Sequence, residues 1–409
     1  MRTGVTAPVK WQRGVAVDAR VTTPAFYLLG ALAAVGFVLS LWREFSGLGP
    51  ATGLNDGYSW GLFKNFNVTT LTALGSGGYA VGVLAWLLNH KHYHVIMRTA
   101  VLTSLLGYGT GMVALTVDIG RPWNIVFIGA PWVWNPHSLL LEVALCMTAY
   151  LILGLSPENA PAVLDHLHYN RYPEWVKKTA NAAYDVLKRI YPFAIALAFV
   201  LPSMHQAGLG ALMMLAGPRL HPVWQTPLLP LFYLVMAWIL GLSCVLLVLM
   251  ISCLVWNRAM DMPILSSLAR VTSSLALGWL WVRLGDLAWR GELAHAFTPD
   301  RFTLWFLDEF VLIAVPALAL QKREWRENPV WLFRLLVLLT LGGMLYRFVP
   351  TTIAFMPGEH YHYFPSLAEI LMSAGYAALA VLGYQVAVKK LAILPAPILH
   401  WRSMAGGAV

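Results

Sequence analysis

The sequence predicts an all-α, polytopic integral membrane protein with ten transmembrane helices, arranged as two helix bundles plus peripheral helices. Three observations predict it. Ten segments are apolar over the length that a bilayer demands, about 20 residues each. Hydrophobic residues make up 58% of the 409 and charged residues only 11%, where a soluble chain carries about 25% charge. Lys and Arg also divide unevenly between alternate connections, with 20 on the side of the N-terminus and eight on the other. That excess predicts both termini in the cytoplasm. It accounts for the net charge of +9 without a nucleic-acid partner.

The elements follow in order. Segment 24–42 comes after a polar stretch without a small-residue cleavage site, so it reads as a first crossing. Segments 67–88 and 96–117 carry Gly75, Gly77, Gly78 and Gly107, Gly111, which let membrane helices approach closely. Segment 137–155 is interrupted by Glu142. A connection over 156–189 holds Pro157, Pro161 and Pro173, with a short surface helix expected over 174–188. In 190–214, Pro202 removes a backbone hydrogen bond beside His205 and Gln206. Segment 228–256 is apolar throughout, and 264–285 ends near Arg283 and Asp286. Segment 303–320 carries Asp308 and Glu309, 330–347 ends on Arg347, and 366–388 begins near Glu369. The expected division is a cytoplasmic segment 1–23, a transmembrane domain 24–390 and a cytoplasmic tail 391–409.

Several cofactors fit poorly. Cys146, Cys244 and Cys253 all lie inside apolar segments without paired spacing, so neither an iron–sulfur cluster nor a structural zinc is expected. Of 12 histidines, only His137 and His205 lie in or at the ends of crossings, which leaves no obvious axial pair for haem. No mid-helix lysine is available for a retinal Schiff base. Donor and acceptor centres for single electrons must therefore sit in partners.

Function is sought in the polar exceptions, because ionisable groups inside a bilayer are expensive. Asp118, Arg121 and Trp123 occur in D-I-G-R-P-W-N, where Pro122 is expected to end the helix. Arg121 either donates to a quinone carbonyl or pairs with Asp118. Asn135 and His137 precede Glu142, whose carboxyl is either a proton carrier or an arginine partner. His205, Gln206, His221 and Trp224 either surround a quinone ring or pack at the interface. Arg283 and Asp286 are spaced to meet on one helix face. Asp308, Glu309, Arg347, Glu369 and the weaker candidate Asn67 are ion pairs or proton stations. Most of these residues map to the outer half of the membrane, which predicts a polar pocket there. The outer loops hold Trp, Gly, Pro and His, as a docking face or an aromatic belt would.

The motifs G-L-N-D-G-Y-S-W-G at 53–61, D-I-G-R-P-W-N at 118–124, S-L-L-L-E-V-A-L-C-M-T at 138–148, L-P-S-M-H-Q-A-G-L-G-A-L-M at 201–213 and H-P-V-W-Q at 221–225 carry a resemblance. R-L-G-D-L at 283–287, A-F-M-P-G at 354–358 and Y-F-P-S at 363–366 extend it over nearly the whole chain. The chain resembles the integral membrane subunit of type 2 nickel–iron hydrogenases, within the polysulfide-reductase (nitrite-reductase-D-type) quinone-interacting family. The resemblance implies a subunit without haem or iron–sulfur cluster that exchanges electrons with menaquinone or ubiquinone in the lipid membrane. It implies a ferredoxin-like iron–sulfur partner on the periplasmic face, with hydrogenase, multihaem cytochrome or sulfur-metabolism subunits beyond, and an association with proton translocation. Glu142 matches a family glutamate implicated in proton transfer, and His205 and His221 match family histidines near the expected pocket. Asn67 replaces a carboxylate found in a relative, and His137 replaces an amide. The expected roles are catalysis for Glu142, His205 and Asp118, and quinone contact for Arg121, Trp123, Asn135, His137, Gln206, His221 and Trp224. Asn67, Asp286, Asp308, Glu309 and Glu369 are the expected proton path. An ion or solute transporter and a purely structural anchor are the rival readings.

Overall fold

The computed structural model describes residues 16–17 and 19–394. Most of the expected N-terminal segment (1–15 and 18) and of the tail (395–409) lies outside the described residues. Among the described residues, nine helices are long and apolar enough to cross a membrane. They are α1 (Pro24–Ser46), α2 (Leu62–Leu87), α3 (Met97–Asp118), α4 (Leu139–Tyr169), α5 (Glu174–Met214), α6 (Leu229–Val255), α8 (Arg301–Ala319), α9 (Pro329–Phe348) and α10 (Leu367–Lys390). The expected crossing at 264–285 does form a helix, α7 (Met262–Arg290). It is not among the nine, because four serines, Thr272, Arg270 and Arg283 dilute its apolar character. The count is therefore nine rather than ten by length and composition.

Helix starts follow from sequence. Side chains of Thr23, Ser138, Asp261, Asp300, Asn328 and Ser366 each accept a backbone N–H in the first turn, satisfying donors that a helix otherwise leaves bare. Two boundaries differ from expectation. Helix α3 ends at Asp118 because Gly120 adopts φ 70°, and Pro122 instead opens a 3-10 stretch, Pro122–Gly129. The connection expected over 156–189 is mostly helix. A π-helical turn, Tyr150–Leu155, resets α4 so that Pro157 falls in the first turn of its next stretch, where a missing N–H is harmless. The surface helix over 174–188 is the start of the 41-residue α5, which runs through Pro192 and Pro202.

Helices α2–α5 form one bundle and α6–α9 a second, while α1 pairs with α10 against α3. Helix α6 is the seam, packing on α5 and α2, and α9 also reaches α2. The seam is tight: a Cβ at Gly77 would lie 2.4 Å from the Gly241 carbonyl oxygen. Val17 N donates to Val388 O at 3.1 Å and Lys389 Nζ to Arg20 O at 3.1 Å. Both ends of the described chain thus meet at one end of the molecule, here the terminal end.

Candidate functional site

Helix α2 is the most enclosed of the nine, yet it presents Asn65, Thr69, Thr72 and Ser76, all buried. Their spacing of four, three and four residues makes one stripe along a helix. The stripe starts in a π-helical turn, Asn65–Thr70, and faces another, Val349–Ile353, that follows α9. Asn65 Nδ2 donates to Thr351 Oγ1 between the two, and Thr69 Oγ1 lies 2.6 Å from Asn65 Oδ1. π-Helical turns are frequent at functional sites.

One turn further in, Gln206 Nε2 donates to Thr72 Oγ1 at 3.1 Å and to Tyr108 OH at 3.0 Å. His205 Nδ1 is 3.0 Å from the Val143 carbonyl, which can only accept, so Nδ1 carries the proton. Its Nε2 faces Thr72 Oγ1 at 3.4 Å, but that hydroxyl donates to Val68 O at 2.6 Å. The Nε2 lone pair is left without a committed donor, free to accept a hydrogen bond. Tyr108 packs edge-on against Tyr150 at 4.8 Å between ring centroids, and the Tyr150 hydroxyl makes no hydrogen bond within the protein. Glu158 Oε2 is enclosed and makes no hydrogen bond within the protein. A polar column therefore descends from the far end of the molecule toward the terminal end. Above it, at the far end, a cavity of about 270 Å³ is lined by Ser59, Trp60, Ala216, Arg219, Thr351 and Phe355.

The second bundle holds charge instead. Arg283 pairs with Glu309, both enclosed, and Trp224 Nε1 donates to Glu309 Oε2 at 3.1 Å. The Arg283 guanidinium lies 5.0 Å from the Trp279 ring centroid, 5.0 Å from Tyr346 and 5.2 Å from Phe306. Between the bundles sits Arg347, fully enclosed and 4.4 Å over the Tyr233 ring. Its Nη2 donates to Tyr233 O, while Nε and Nη1 make no hydrogen bond within the protein. It lies within electrostatic range of His205, Tyr79 and Tyr108. A buried cation inside a membrane bundle is a functional signal.

The remaining expected residues divide sharply. Asp118 bonds Arg43 Nη2 at 3.1 Å and Lys64 Nζ at 3.1 Å, not Arg121. The reason is that Gly120 turns the chain away before Arg121. Arg121, Trp123, Asn135 and His137 are exposed on the loop between α3 and α4, with Trp123 69% accessible. Asp286 meets Arg290, at 2.9 Å, and Thr226 rather than Arg283, because Glu309 claims Arg283 from across the bundle. Asp308 is exposed while its neighbour Glu309 is enclosed. Glu369 accepts from Phe63 N and Tyr363 OH, both at 3.0 Å, and clips the entry to α2. Asn67 Nδ2 donates to Phe63 O at 2.9 Å and its Oδ1 makes no hydrogen bond. Glu142 is half-buried in the first turn of α4, beside the residue whose carbonyl holds His205. His221 donates its backbone N–H to Ala354 O at 2.9 Å and stacks on Phe302 at 4.5 Å. Sequence reasoning missed Asn65, Thr72, Tyr108, Glu158 and Thr351. The four-three-four spacing in α2 was the available signal for the stripe.

Residues 51–355 match the family model described as polysulphide reductase, NrfD. The chain is 33% identical over 372 residues to the probable Ni/Fe-hydrogenase 2 b-type cytochrome subunit of Escherichia coli, covering 90% of this chain and 92% of that one. It is 27% identical over 375 residues to the menaquinone reductase integral membrane subunit of Nitratidesulfovibrio vulgaris, covering 85% and 86%. The first relative's name raises the question of haem. Among the described residues, His205 is the histidine enclosed in the bundle interior, and its Nδ1 is tied to a carbonyl. The histidine rings that approach each other, His90 with His92 at 5.7 Å and His221 with His295 at 6.3 Å, lie outside it. These positions do not fit a bis-histidine haem. No group of three or more His, Cys, Asp or Glu that could hold a metal ion occurs among the described residues.

Proposed function

Because the chain belongs to the NrfD family of polysulphide-reductase membrane proteins, we propose that it is the haem-free, quinone-reactive membrane subunit of a respiratory oxidoreductase complex. The single observation that supports this best is the buried column that ends beneath an aromatic-lined cavity at the far end. On this reading α7 is a tenth crossing, 24–390 is the quinone-interacting domain and both termini are cytoplasmic. The far end is then periplasmic, where an iron–sulfur partner docks over the exposed Trp123 and Trp132 loop, and hydrogenase or other redox subunits lie beyond. The names of the relatives, a hydrogenase subunit and a menaquinone reductase subunit, support that setting.

A quinone head group would sit among Trp60, Phe355 and Thr351, with Arg219 opposing negative charge as electrons arrive. Reduction takes two electrons from the partner and two protons. The Nε2 of His205, the amide of Gln206 and the phenol of Tyr108 offer the proton route, and Glu142 stands beside it as a further relay. Arg121, Trp123, Asn135 and His137 take the docking role in this arrangement, since they are too exposed to form the pocket.

The test is quinone-linked turnover of the intact complex. Ala216→Phe fills the cavity and should abolish turnover while the complex stays assembled. Glu142→Gln should lower turnover or charge movement; if both stay unchanged, Glu142 leaves the mechanism. Solute or ion flux by this chain alone in sealed vesicles would instead favour a transporter.

A further inference from the structure

A second, larger groove of about 630 Å³ lies on the flank of the second bundle, between the first turns of α6 and the middle of α7. Its α7 wall is Arg270, Ser274, Gly278 and Val282, spaced four apart and so on one helix face. Leu231 and Val235 of α6 form the facing wall. A Cβ on Gly278 would meet nothing within 4 Å, so the trough floor is open there. The groove is apolar along its length and cationic at the end toward the termini.

Arg270 is exposed and has no ion-pair partner among the described residues. About 20 of the 29 residues of α7 suffice to cross hydrocarbon. Centring them leaves Arg270 about one turn inside the boundary, where a lone guanidinium must reach an anion or the headgroup layer. A second cation stands near. Arg326 Nη1 donates to Gln321 O at 2.7 Å and to Leu320 O at 3.3 Å, which holds it in the connection after α8. Gln321 Nε2 ties that connection to the groove by donating to Ser273 Oγ at 2.7 Å and Ser274 Oγ at 3.2 Å.

We infer that this groove is a binding site for an anionic phospholipid. Its phosphodiester lies between Arg270 and Arg326, and one acyl chain runs along the trough past Gly278. The guanidinium fork matches phosphate oxygens, and basic pockets between membrane helices suit anionic headgroups. A zwitterionic lipid would bring its own cation among these two. A quinone tail would fill the trough but leave both arginines uncovered. The site is separate from the polar column and does not depend on the redox reading.

The full-length protein, purified in a neutral detergent, is offered phosphatidylglycerol and phosphatidylcholine with identical acyl chains. Bound lipid is read by native mass spectrometry and the stabilisation by the shift in melting temperature. Wild type should retain phosphatidylglycerol about tenfold better, the scale of one charge-assisted pair. Arg270→Gln should bring the two lipids to parity, and Arg270→Lys should keep part of the preference. Equal retention by wild type, or an undiminished preference in Arg270→Gln, overturns the site. If Arg270→Gln does not fold, Gly278→Leu fills the trough with the arginine in place. Loss of phosphatidylglycerol then supports the site, and retention overturns it.

Discussion

At its centre the first bundle relies on neutral groups, with the ion pairs Lys64–Asp118 and Arg98–Asp165 toward its helix ends, whereas the second buries an ion pair at its centre. In α2–α5, Thr72, Gln206, Tyr108 and His205 share hydrogen bonds that leave Gln206 Oε1 and the His205 Nε2 lone pair uncommitted. In the second bundle, Arg283 and Glu309 are locked to each other, with Trp224 on the carboxylate and three aromatic rings around the guanidinium. The difference teaches that charge alone does not mark the working site. A paired, caged charge is a strut that resists change. A neutral chain with spare donors and acceptors can change protonation without stranding a charge in lipid.

The largest effect should come from breaking the strut. Arg283→Met leaves Glu309 enclosed and unpaired, which costs about 3–5 kcal/mol. The melting temperature of the purified chain should fall steeply, and the Arg283→Met/Glu309→Met pair should recover most of it. A single variant as stable as wild type would erase the contrast between the bundles. Next comes the column. His205→Asn should leave the melting temperature close to wild type but lower quinone-linked turnover by about 100-fold, the scale of a lost proton-transfer group. Full turnover would show that protons travel elsewhere. Glu158→Gln should have a smaller effect, roughly tenfold on turnover, because the carboxyl makes no hydrogen bond to Tyr108, Gln206 or His205 among the described residues. An unaltered rate and pH profile would detach Glu158 from the column.

The smallest effect concerns pH. Burial, aided by the neighbouring His295 and opposed by the carboxylates of Asp300 and Glu292, holds the His221 imidazole below its ordinary range. The unfolded chain therefore takes up a proton before the folded one does. The stability from this group is intact above about pH 6.5 and declines as the pH falls through that value. Melting of wild type should drop between neutral and mildly acidic pH more than that of His221→Phe. Parallel curves would remove His221 as the acid-sensitive contact beside Phe302.

Much of this was legible in the chain. The crossings appear because about 20 consecutive apolar residues have no other stable place, and caps such as Thr23, Asp300 and Ser366 are local chemistry. Glu309 and His205 stand out because polar groups are rare in such segments. The sequence alone could not assign partners. Asp118 has Arg121 three residues away, yet it bonds Arg43 and Lys64 from other elements. Arg283 has Asp286 one turn away, yet it bonds Glu309 of α8. Burial in the bundle decides these pairings, because an enclosed charge must find whichever counter-charge packing brings within reach. The stripe of Asn65, Thr69, Thr72 and Ser76 was likewise present in the order of residues. Only the packing of α2 against α3, α5 and α9 gave these small polar side chains their partners, Thr351 for Asn65 and Gln206 for Thr72.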